Sequence, residues 1–230
     1  MKKSILNTTA FRYIFEVIVI VFSVTLSFYI QDVLNKREKI YLKDKTLNGI
    51  LADLKADKSS FRQASNVIYD RIRLIEEVLD GNITNEKISS LMTFWGFLGQ
   101  DSNYKSLIST GAIEFIETDG LALKLSGYYE GGYTALKGES NSYNLLYLDF
   151  MSYMKKNYTV ISMKKVIKGE APGGLLKFNY SKMELNKMKS DSELRNHLFE
   201  LKRIIHFYAT MFENGIEHAN ALSNNIKIEL

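Results

Sequence analysis

Glu16 is the one ionisable residue inside a long apolar stretch near the amino terminus, and Arg12 lies four residues before it. An acidic side chain inside a membrane span is costly, and such residues commonly line ion paths or contacts between subunits. The same spacing lets Arg12 pair with Glu16 on one face of a helix near the membrane interface. Two kinds of chemistry are therefore open to Arg12 and Glu16: structural or headgroup pairing, or a role in an oligomer or ion path.

Metal and thiol chemistry find little support in the composition. The chain has no cysteine, which removes thiol nucleophiles, thiolate metal sites and disulfides. The three histidines, His197, His206 and His218, fall in one predicted helix, and none has another histidine four residues away, as a helical zinc motif requires. A ligand site built between subunits stays open. We expect no cofactor and no metal site within one chain.

Two glycine-containing segments resemble catalytic motifs only in part. The segment GEAPGGLLK, residues 169–177, has glycines at phosphate-loop spacing, but Leu175 and Leu176 replace the required Lys and Ser or Thr. The run GESNS, residues 138–142, lacks the second glycine of a hydrolase nucleophile elbow. We therefore predict that the protein is not an enzyme.

Residues 13–31 have the length and composition of a transmembrane helix. No charged side chain occurs from Val17 to Ile30. Nineteen residues of helix span roughly 28 Å, which matches a hydrocarbon core of about 30 Å. A cleavable signal would end in small residues, whereas this run ends in the bulky segment Leu26–Ile30. The pattern predicts a single, retained membrane anchor.

The distribution of charge supports a membrane location rather than nucleic-acid binding. The formal net charge is +4, and residues 1–45 hold eight Lys and Arg against four acidic residues. The rest of the chain has equal numbers of basic and acidic side chains. The excess therefore flanks the span, where anionic headgroups attract it. More cations follow the span than precede it, which favours a cytoplasmic carboxyl-terminal region, although long domains can translocate despite their charges.

After the span, apolar residues alternate at spacings of four and three, which is typical of a helix with one buried stripe. We call this stripe the heptad seam; its positions are Leu47, Leu51, Leu54, Lys58, Phe61, Ser65, Ile68, Ile72, Ile75 and Leu79. The polar residues Lys58 and Ser65 argue against a long strict coiled coil. The seam predicts the first helix of an antiparallel bundle, with an intersubunit coiled coil as the alternative.

Further helices follow the helix that carries the heptad seam. Asp80–Asn82 end the first helix, and Thr84 or Asn85 begins a second, which is expected to run to Gly99 and to bury Phe94, Trp95 and Phe97. A short helix from Asp101 or Ser102 to Gly111 comes next. A helix with a packing stripe then follows, and Gly131 and Gly132 are expected to bend or break it. Residues 164–180 read as irregular, and a final helix runs from Ser190 or Asp191 to about Ile226. The stripe consists of Tyr143, Tyr147, Phe150, Met154 and Tyr158.

A set of residues occurs in a fixed order along the chain: Glu16, Gln31, Asn35, Lys36, Arg37, Leu79, Tyr104, Leu107, Ser109, Gly111, Tyr128 and Tyr129. This order resembles that of an uncharacterised family of bacterial single-span membrane-anchored proteins. In that family a Gly-Glu pair opens the span, an Ala-Leu-Gln-Ile segment closes it, and an Asn-rich, Trp-containing basic stretch follows. This chain has Phe15 in place of the glycine and Leu34 where tryptophan is usual. The resemblance implies a single span with a helical soluble domain, and the family has no established activity that could be carried over to this chain.

The sequence thus predicts an all-α protein with one transmembrane helix that continues into a helical-bundle soluble domain. Residues 1–45 form the anchor and its basic flanks, and residues 46–230 form the soluble domain. We expect a bacterial inner-membrane interaction or scaffold protein that self-associates, contacts lipids and an unknown protein partner, and does not bind nucleic acid. Two alternatives are a small-molecule-sensing domain coupled to a membrane partner and an oligomeric pore or membrane-perturbing effector, in which Glu16, Ser23 and Ser27 face a shared axis.

Overall fold

A computed structural model describes residues 3–93, 99–165 and 176–230, with side chains from Phe11 onward. Within these ranges the chain is all-α apart from one two-stranded hairpin, as the sequence predicts. The first helix, α1 (Lys3–Leu79), is 77 residues long and has no interruption. At 1.5 Å per residue it is about 115 Å long, so one continuous helix carries both the apolar stretch and part of the bundle.

The remaining elements are shorter, except for the last. They are α2 (Asn85–Leu91), α3 (Ser102–Ser109), a 3₁₀ turn (Ala112–Phe115), α4 (Leu121–Ser126), a π-helix (Gly127–Tyr133), α5 (Thr134–Asn157), β1 (Val160–Lys165), β2 (Leu176–Tyr180), α6 (Lys182–Lys189) and α7 (Ser192–Glu229). The predicted start of the last helix is confirmed, because the Asp191 carboxylate accepts hydrogen bonds from the amides of Glu193 and Leu194, each at 2.9 Å.

The amino-terminal part of α1 projects away from the rest of the protein. This helix contains a stretch long and apolar enough to cross a membrane, and none of that stretch is buried against other elements. Its large apolar side chains are exposed from Phe11 to Ile30. An exposed apolar surface of this size is unusual in a soluble protein and is typical of contact with lipid.

The soluble domain is built on α1 and α7, which pack antiparallel. Early residues of α1 meet late residues of α7: Lys58 donates to Asn220 at 3.0 Å, and Arg195 donates to the carbonyl of Leu79 at 2.6 Å. Most of the heptad seam is buried within this one chain, including Leu47 and Ile75 at 0% exposure. The predicted antiparallel bundle is confirmed, because α7 occupies the surface that an intersubunit coiled coil would use.

A glycine sets the closest approach of α1 to α7. A Cβ atom added at Gly215 would lie 2.9 Å from a ring carbon of Phe61, which is itself 1% exposed. Phe61 also packs against Phe212, with ring centroids 5.3 Å apart. The helix α5 adds a third layer, since its stripe from Tyr143 to Met154 is buried beside α7.

The prediction of irregular structure over residues 164–180 is wrong for the part that the structure describes. The strands β1 and β2 pair antiparallel, and α6 follows after Ser181 as its N-cap. Contacts distant in sequence stabilise the hairpin, because Asn85 and Ser89 of α2 hydrogen-bond to the backbone of Tyr180 and Phe178. Short exposed strands of this kind carry no strong local signal. Residues 166–175, which contain most of the segment with phosphate-loop spacing, lie outside the described residues.

Two other expectations change in detail. The helix α2 is capped by Thr84 as predicted, but it ends at Leu91 instead of continuing through Met92 and Thr93. The predicted aromatic cluster at residues 94–97 lies outside the described ranges. Gly131 and Gly132 do not break the helix; they lie in a π-helix that joins α4 to α5. A π-helix accommodates an extra residue by forming hydrogen bonds over five residues instead of four, so the helix continues through the two glycines.

Candidate functional site

Asp57 of α1 is the centre of a buried polar cluster between α1 and the π-helix. The residue is 3% exposed, and its Oδ2 accepts a hydrogen bond from the Tyr128 hydroxyl at 3.0 Å. The Tyr133 hydroxyl donates to the same oxygen, and the backbone N–H of Gln100 donates to Tyr133 Oη at 3.2 Å. Two tyrosine hydroxyls therefore converge on one carboxylate. We call Asp57, Tyr128 and Tyr133 the Asp57 cluster.

The π-helix explains how both tyrosines reach Asp57. Tyr128 and Tyr133 are five residues apart, and in an α-helix such residues point about 140° away from each other. A π-helix closes its hydrogen bonds over five residues, which brings positions i and i+5 to the same face. The two rings lie with centroids 5.4 Å apart and planes inclined by 48°. The irregular helix is thus the element that assembles the cluster.

A second buried carboxylate, Asp53, lies one turn before Asp57 on α1. Its Oδ2 accepts a hydrogen bond from Asn103 of α3 at 2.8 Å. Between the two aspartates and α3 lies Tyr129, which stacks on Tyr104 at a centroid distance of 4.6 Å. The Tyr129 hydroxyl is buried and has no hydrogen-bond partner among the residues that the structure describes. An unpartnered buried hydroxyl costs stability, so this region of the domain is not optimised for stability alone.

Burial dominates the electrostatics of the cluster. Loss of solvent raises the pKa of Asp57 above its ordinary value, the hydrogen bonds from Tyr133 and Tyr128 oppose this, and the charge of Asp53 adds to it. Burial likewise raises the pKa of both tyrosines, so they remain hydrogen-bond donors at neutral pH. Among the described residues no Lys, Arg or His forms an ion pair with Asp57. The cluster is a buried negative site without a counter-ion from that part of the chain.

A small pocket opens beside the Asp57 cluster, between α1, the π-helix and α7. Its volume is about 130 Å³. Tyr128 and Tyr133 belong to its lining, whereas Asp57, to which both tyrosine hydroxyls donate, does not. The other lining residues are Phe61, Gly132, Leu136, Met211, Asn214, Gly215 and His218. This arrangement can hold a small ligand against aromatic surface close to a buried charge.

A second polar group joins α1 to the end of α7 on the side of the span. Lys43 and Glu229 form an ion pair at 2.6 Å, with side chains 8% and 2% exposed. The Glu229 carboxylate also accepts hydrogen bonds from the amides of Glu117 and Thr118. Burial would raise the pKa of Glu229, but these hydrogen bonds lower it to about 2. We call this group the membrane-proximal latch; nearby, Lys39 donates to the carbonyl of Thr110.

The structure pairs Arg12 and Glu16, the two residues that the sequence singled out at the start of the apolar stretch. Arg12 Nε donates to Glu16 Oε1 at 3.0 Å, and both side chains are exposed on α1. The hydroxyls of Ser23 and Ser27 donate to the carbonyls of Val19 and Ser23 in the same helix. Each polar group thus has a partner within its own helix, as a lone segment in a bilayer requires. The functional role of Arg12 and Glu16 stays a prediction.

The three histidines all lie on α7 and are not brought together. His197 approaches Asp149, with Nδ1 to Oδ2 at 3.3 Å, and packs on Tyr153. His206 is exposed, and His218 lines the pocket beside the Asp57 cluster. The described ranges contain no group of three His, Cys, Asp or Glu side chains arranged to hold a metal ion.

No protein-family model, no curated protein and no solved structure matches the chain. The role of the Asp57 cluster is therefore inferred from its geometry and charge. The sequence contains a signal for the cluster, but the heptad seam, which counts only positions spaced alternately by four and three from Leu47, does not include it. Asp53 and Asp57 fall on the same face of α1 as Ile50, Leu54 and Phe61, and an acidic residue on an apolar face is a candidate for a buried polar site.

Proposed function

We propose that this chain is a single-pass, membrane-anchored helical interaction or scaffold protein that holds its bundle against a bacterial inner membrane. The observation that carries the proposal is the continuity of α1, which forms the exposed apolar stretch and the central helix of the bundle without a break. The bundle has equal numbers of basic and acidic side chains, and the basic excess of the chain flanks the span. This distribution suits contact with a lipid surface rather than with nucleic acid. The resemblance to bacterial single-span proteins supports the same location.

The bundle begins close to the membrane. Lys39, the first residue of α1 with a hydrogen bond to another element among the described residues, lies eight positions after Gln31. Eight helical residues span about 12 Å, of which one headgroup layer occupies roughly 5–7 Å. The membrane-proximal latch then fixes α1 to α7 four residues later, at Lys43. Partners of the domain are therefore presented directly at the membrane surface.

In the proposed self-association, the copies contact each other through the span and not through the heptad seam. Seam residues such as Ile72 are covered by other elements of the same chain, whereas the apolar side chains of the span are exposed. Small polar residues favour close packing of membrane helices, and Ser23 and Ser27 lie on one face of the span. Glu16 falls on the same face and is paired with Arg12, so we favour a packing surface over a pore.

A second candidate function is favoured by the Asp57 cluster. A buried carboxylate and a pocket on the helix that crosses the membrane suit a domain that senses a small molecule and changes the state of a membrane partner. Asp53 and Asp57 belong to α1, whereas their partners belong to α3 and the π-helix. Occupation of the pocket would therefore bias the position of α1 relative to the rest of the bundle.

Cysteine cross-linking tests the proposed anchoring and self-association. The chain has no cysteine, so single-cysteine variants give an unambiguous signal. We expect Ser23→Cys to cross-link in membranes and the matched seam variant Ile72→Cys not to do so. The protein should also remain with the membrane after alkaline extraction. Recovery of the intact chain in the soluble fraction would refute the anchor, and cross-linking only through Ile72→Cys would refute the single-chain bundle.

A further inference from the structure

We propose that the pocket beside the Asp57 cluster binds a small organic cation, such as an alkylated ammonium, taken from solution. This inference rests on the sensing function proposed above and names the class of ligand. It follows from four observations: a carboxylate without a counter-ion behind two of the lining residues, aromatic residues in the lining, a small volume and a position far from the lipid headgroups.

The charge comes from Asp57. This carboxylate is 3% exposed and accepts two hydrogen bonds from tyrosine hydroxyls, but within the described ranges no cationic side chain pairs with it. A buried carboxylate without a counter-ion is stabilised either by a proton or by a cation that enters the site. The charge of Asp53 also acts on Asp57, and this second carboxylate strengthens the preference for a positive ligand.

The lining is partly aromatic. Tyr128, Tyr133 and Phe61 line the pocket, and the two tyrosine rings pack against each other at a centroid distance of 5.4 Å, so they lie side by side and not on opposite sides of the pocket. Cations bind to the faces of aromatic rings, and aromatic linings commonly recognise quaternary ammonium groups. Both tyrosine hydroxyls donate to Asp57, and this polarisation increases the negative charge on the ring faces.

Size and lining favour an organic cation over a metal ion. The volume of about 130 Å³ is close to the ~150 Å³ of a cavity that holds benzene, so a ligand of about five to seven heavy atoms fits. Leu136 and Met211 add apolar surface that suits methyl groups, and the described residues offer no set of three metal ligands. Asn214 and His218 supply polar atoms for a short hydroxyl-bearing or amide-bearing arm.

The position of the pocket separates a free solute from a lipid headgroup. Phe61 lies thirty residues beyond Gln31 on the same uninterrupted helix. That length of helix places the pocket about 45 Å from the end of the span, well outside the headgroup layer. A phosphatidylcholine headgroup in the anchoring bilayer therefore does not reach the pocket, and the ligand comes from the aqueous phase.

Calorimetric titration of the full-length protein in a maltoside detergent tests the proposal, since phosphocholine detergents would compete. The probes are choline and tetramethylammonium chloride, with 3,3-dimethylbutan-1-ol as the neutral molecule of the same shape as choline. We expect saturable binding and a rise in melting temperature for the cations and neither effect for the alcohol. Phosphatidylcholine vesicles should not compete with free choline.

Three variants locate the site. Asp57→Asn should weaken cation binding by about tenfold, because it removes the charge and retains an oxygen acceptor for the tyrosines. Gly132→Leu should abolish binding by filling the pocket, and Gly131→Leu is the matched control because Gly131 does not line the pocket. Both glycines have room for a side chain, since an added Cβ meets nothing closer than 4.0 Å.

The alternative outcomes are distinct. Equal effects of choline and the neutral alcohol, unchanged binding in Asp57→Asn, or equal losses in both glycine variants would overturn the cation site. Competition by phosphatidylcholine vesicles would overturn the assignment to a free solute. None of these results affects the cross-linking of Ser23→Cys, so failure of the ligand site is distinguishable from failure of the proposed membrane anchoring.

Discussion

The membrane-proximal latch gives the sharpest test of how the bundle is stabilised. The substitution Glu229→Gln removes the charge that pairs with Lys43 at 2.6 Å and places an amide nitrogen near the backbone donors of Glu117 and Thr118. It changes no more than one atom of the side chain. The effect therefore reports on charge and hydrogen bonding rather than on packing.

The size of the effect follows from the burial of the pair. Removing one partner of a buried ion pair costs about 3–5 kcal/mol, because the other charge is left without compensation. Asp44 lies 3.4 Å from Lys43 and provides partial compensation, which places the loss at about 3 kcal/mol. For a domain of this size we expect the melting temperature to fall by roughly 6–12 °C.

The contribution of Glu229 to stability should depend on pH in a defined direction. The pKa of Glu229 is about 2 in the folded protein, below its ordinary value of 4.5. Its contribution to stability is therefore complete above pH 4.5 and is lost as the pH falls toward 2. The difference between the wild-type protein and Glu229→Gln should be full at neutral pH and should shrink through this acidic range.

Thermal unfolding followed by circular dichroism provides the measurement, and Glu217→Gln is the matched control because Glu217 is exposed on the same helix. The double variant Lys43→Met, Glu229→Gln should lose less stability than the sum of the two single variants, since the pair acts as a unit. A melting temperature for Glu229→Gln equal to that of Glu217→Gln would show that the latch does not stabilise the domain. A difference that does not change with pH would show that the charge of Glu229 is not the source of the stabilisation.

Two further predictions concern the contact between α1 and its neighbours. Gly215→Ala should destabilise the domain by about 1–3 kcal/mol, because the new methyl group meets the buried ring of Phe61 at 2.9 Å, whereas Gly138→Ala on α5 has free space and should be neutral or stabilising. Ser65→Ala should raise the free energy of unfolding by about 1 kcal/mol, because the Ser65 hydroxyl is buried without a hydrogen-bond partner among the described residues. Denaturant unfolding measures this change. A loss of stability would mean that the hydroxyl does have a hydrogen-bond partner and would contradict the prediction.

The order and type of the long helices were predictable from the sequence. The uninterrupted run from the span through the heptad seam has no proline, and its first glycine is Gly49, so nothing in it ends the helix before Asp80–Asn82. The caps at Thr84 and Asp191 are local signals, because each side chain bonds to amides two or three residues away. The apolar stretch at residues 13–31 is a matter of composition and length alone. Interactions within one segment were therefore sufficient for these predictions.

The hairpin and the candidate site depended on the tertiary structure. The strands β1 and β2 have little apolar burial of their own and are held by Asn85 and Ser89, more than eighty residues away in the chain. Tyr128 and Tyr133 meet Asp57 only because the π-helix changes the rotation per residue, and no α-helical periodicity predicts that change. Whether the seam packs within or between chains was also undecided by its spacing, because α7 and a second copy of α1 both offer an apolar stripe. Packing of segments distant in sequence decided these three features, since their free energy lies in contacts that no single segment contains.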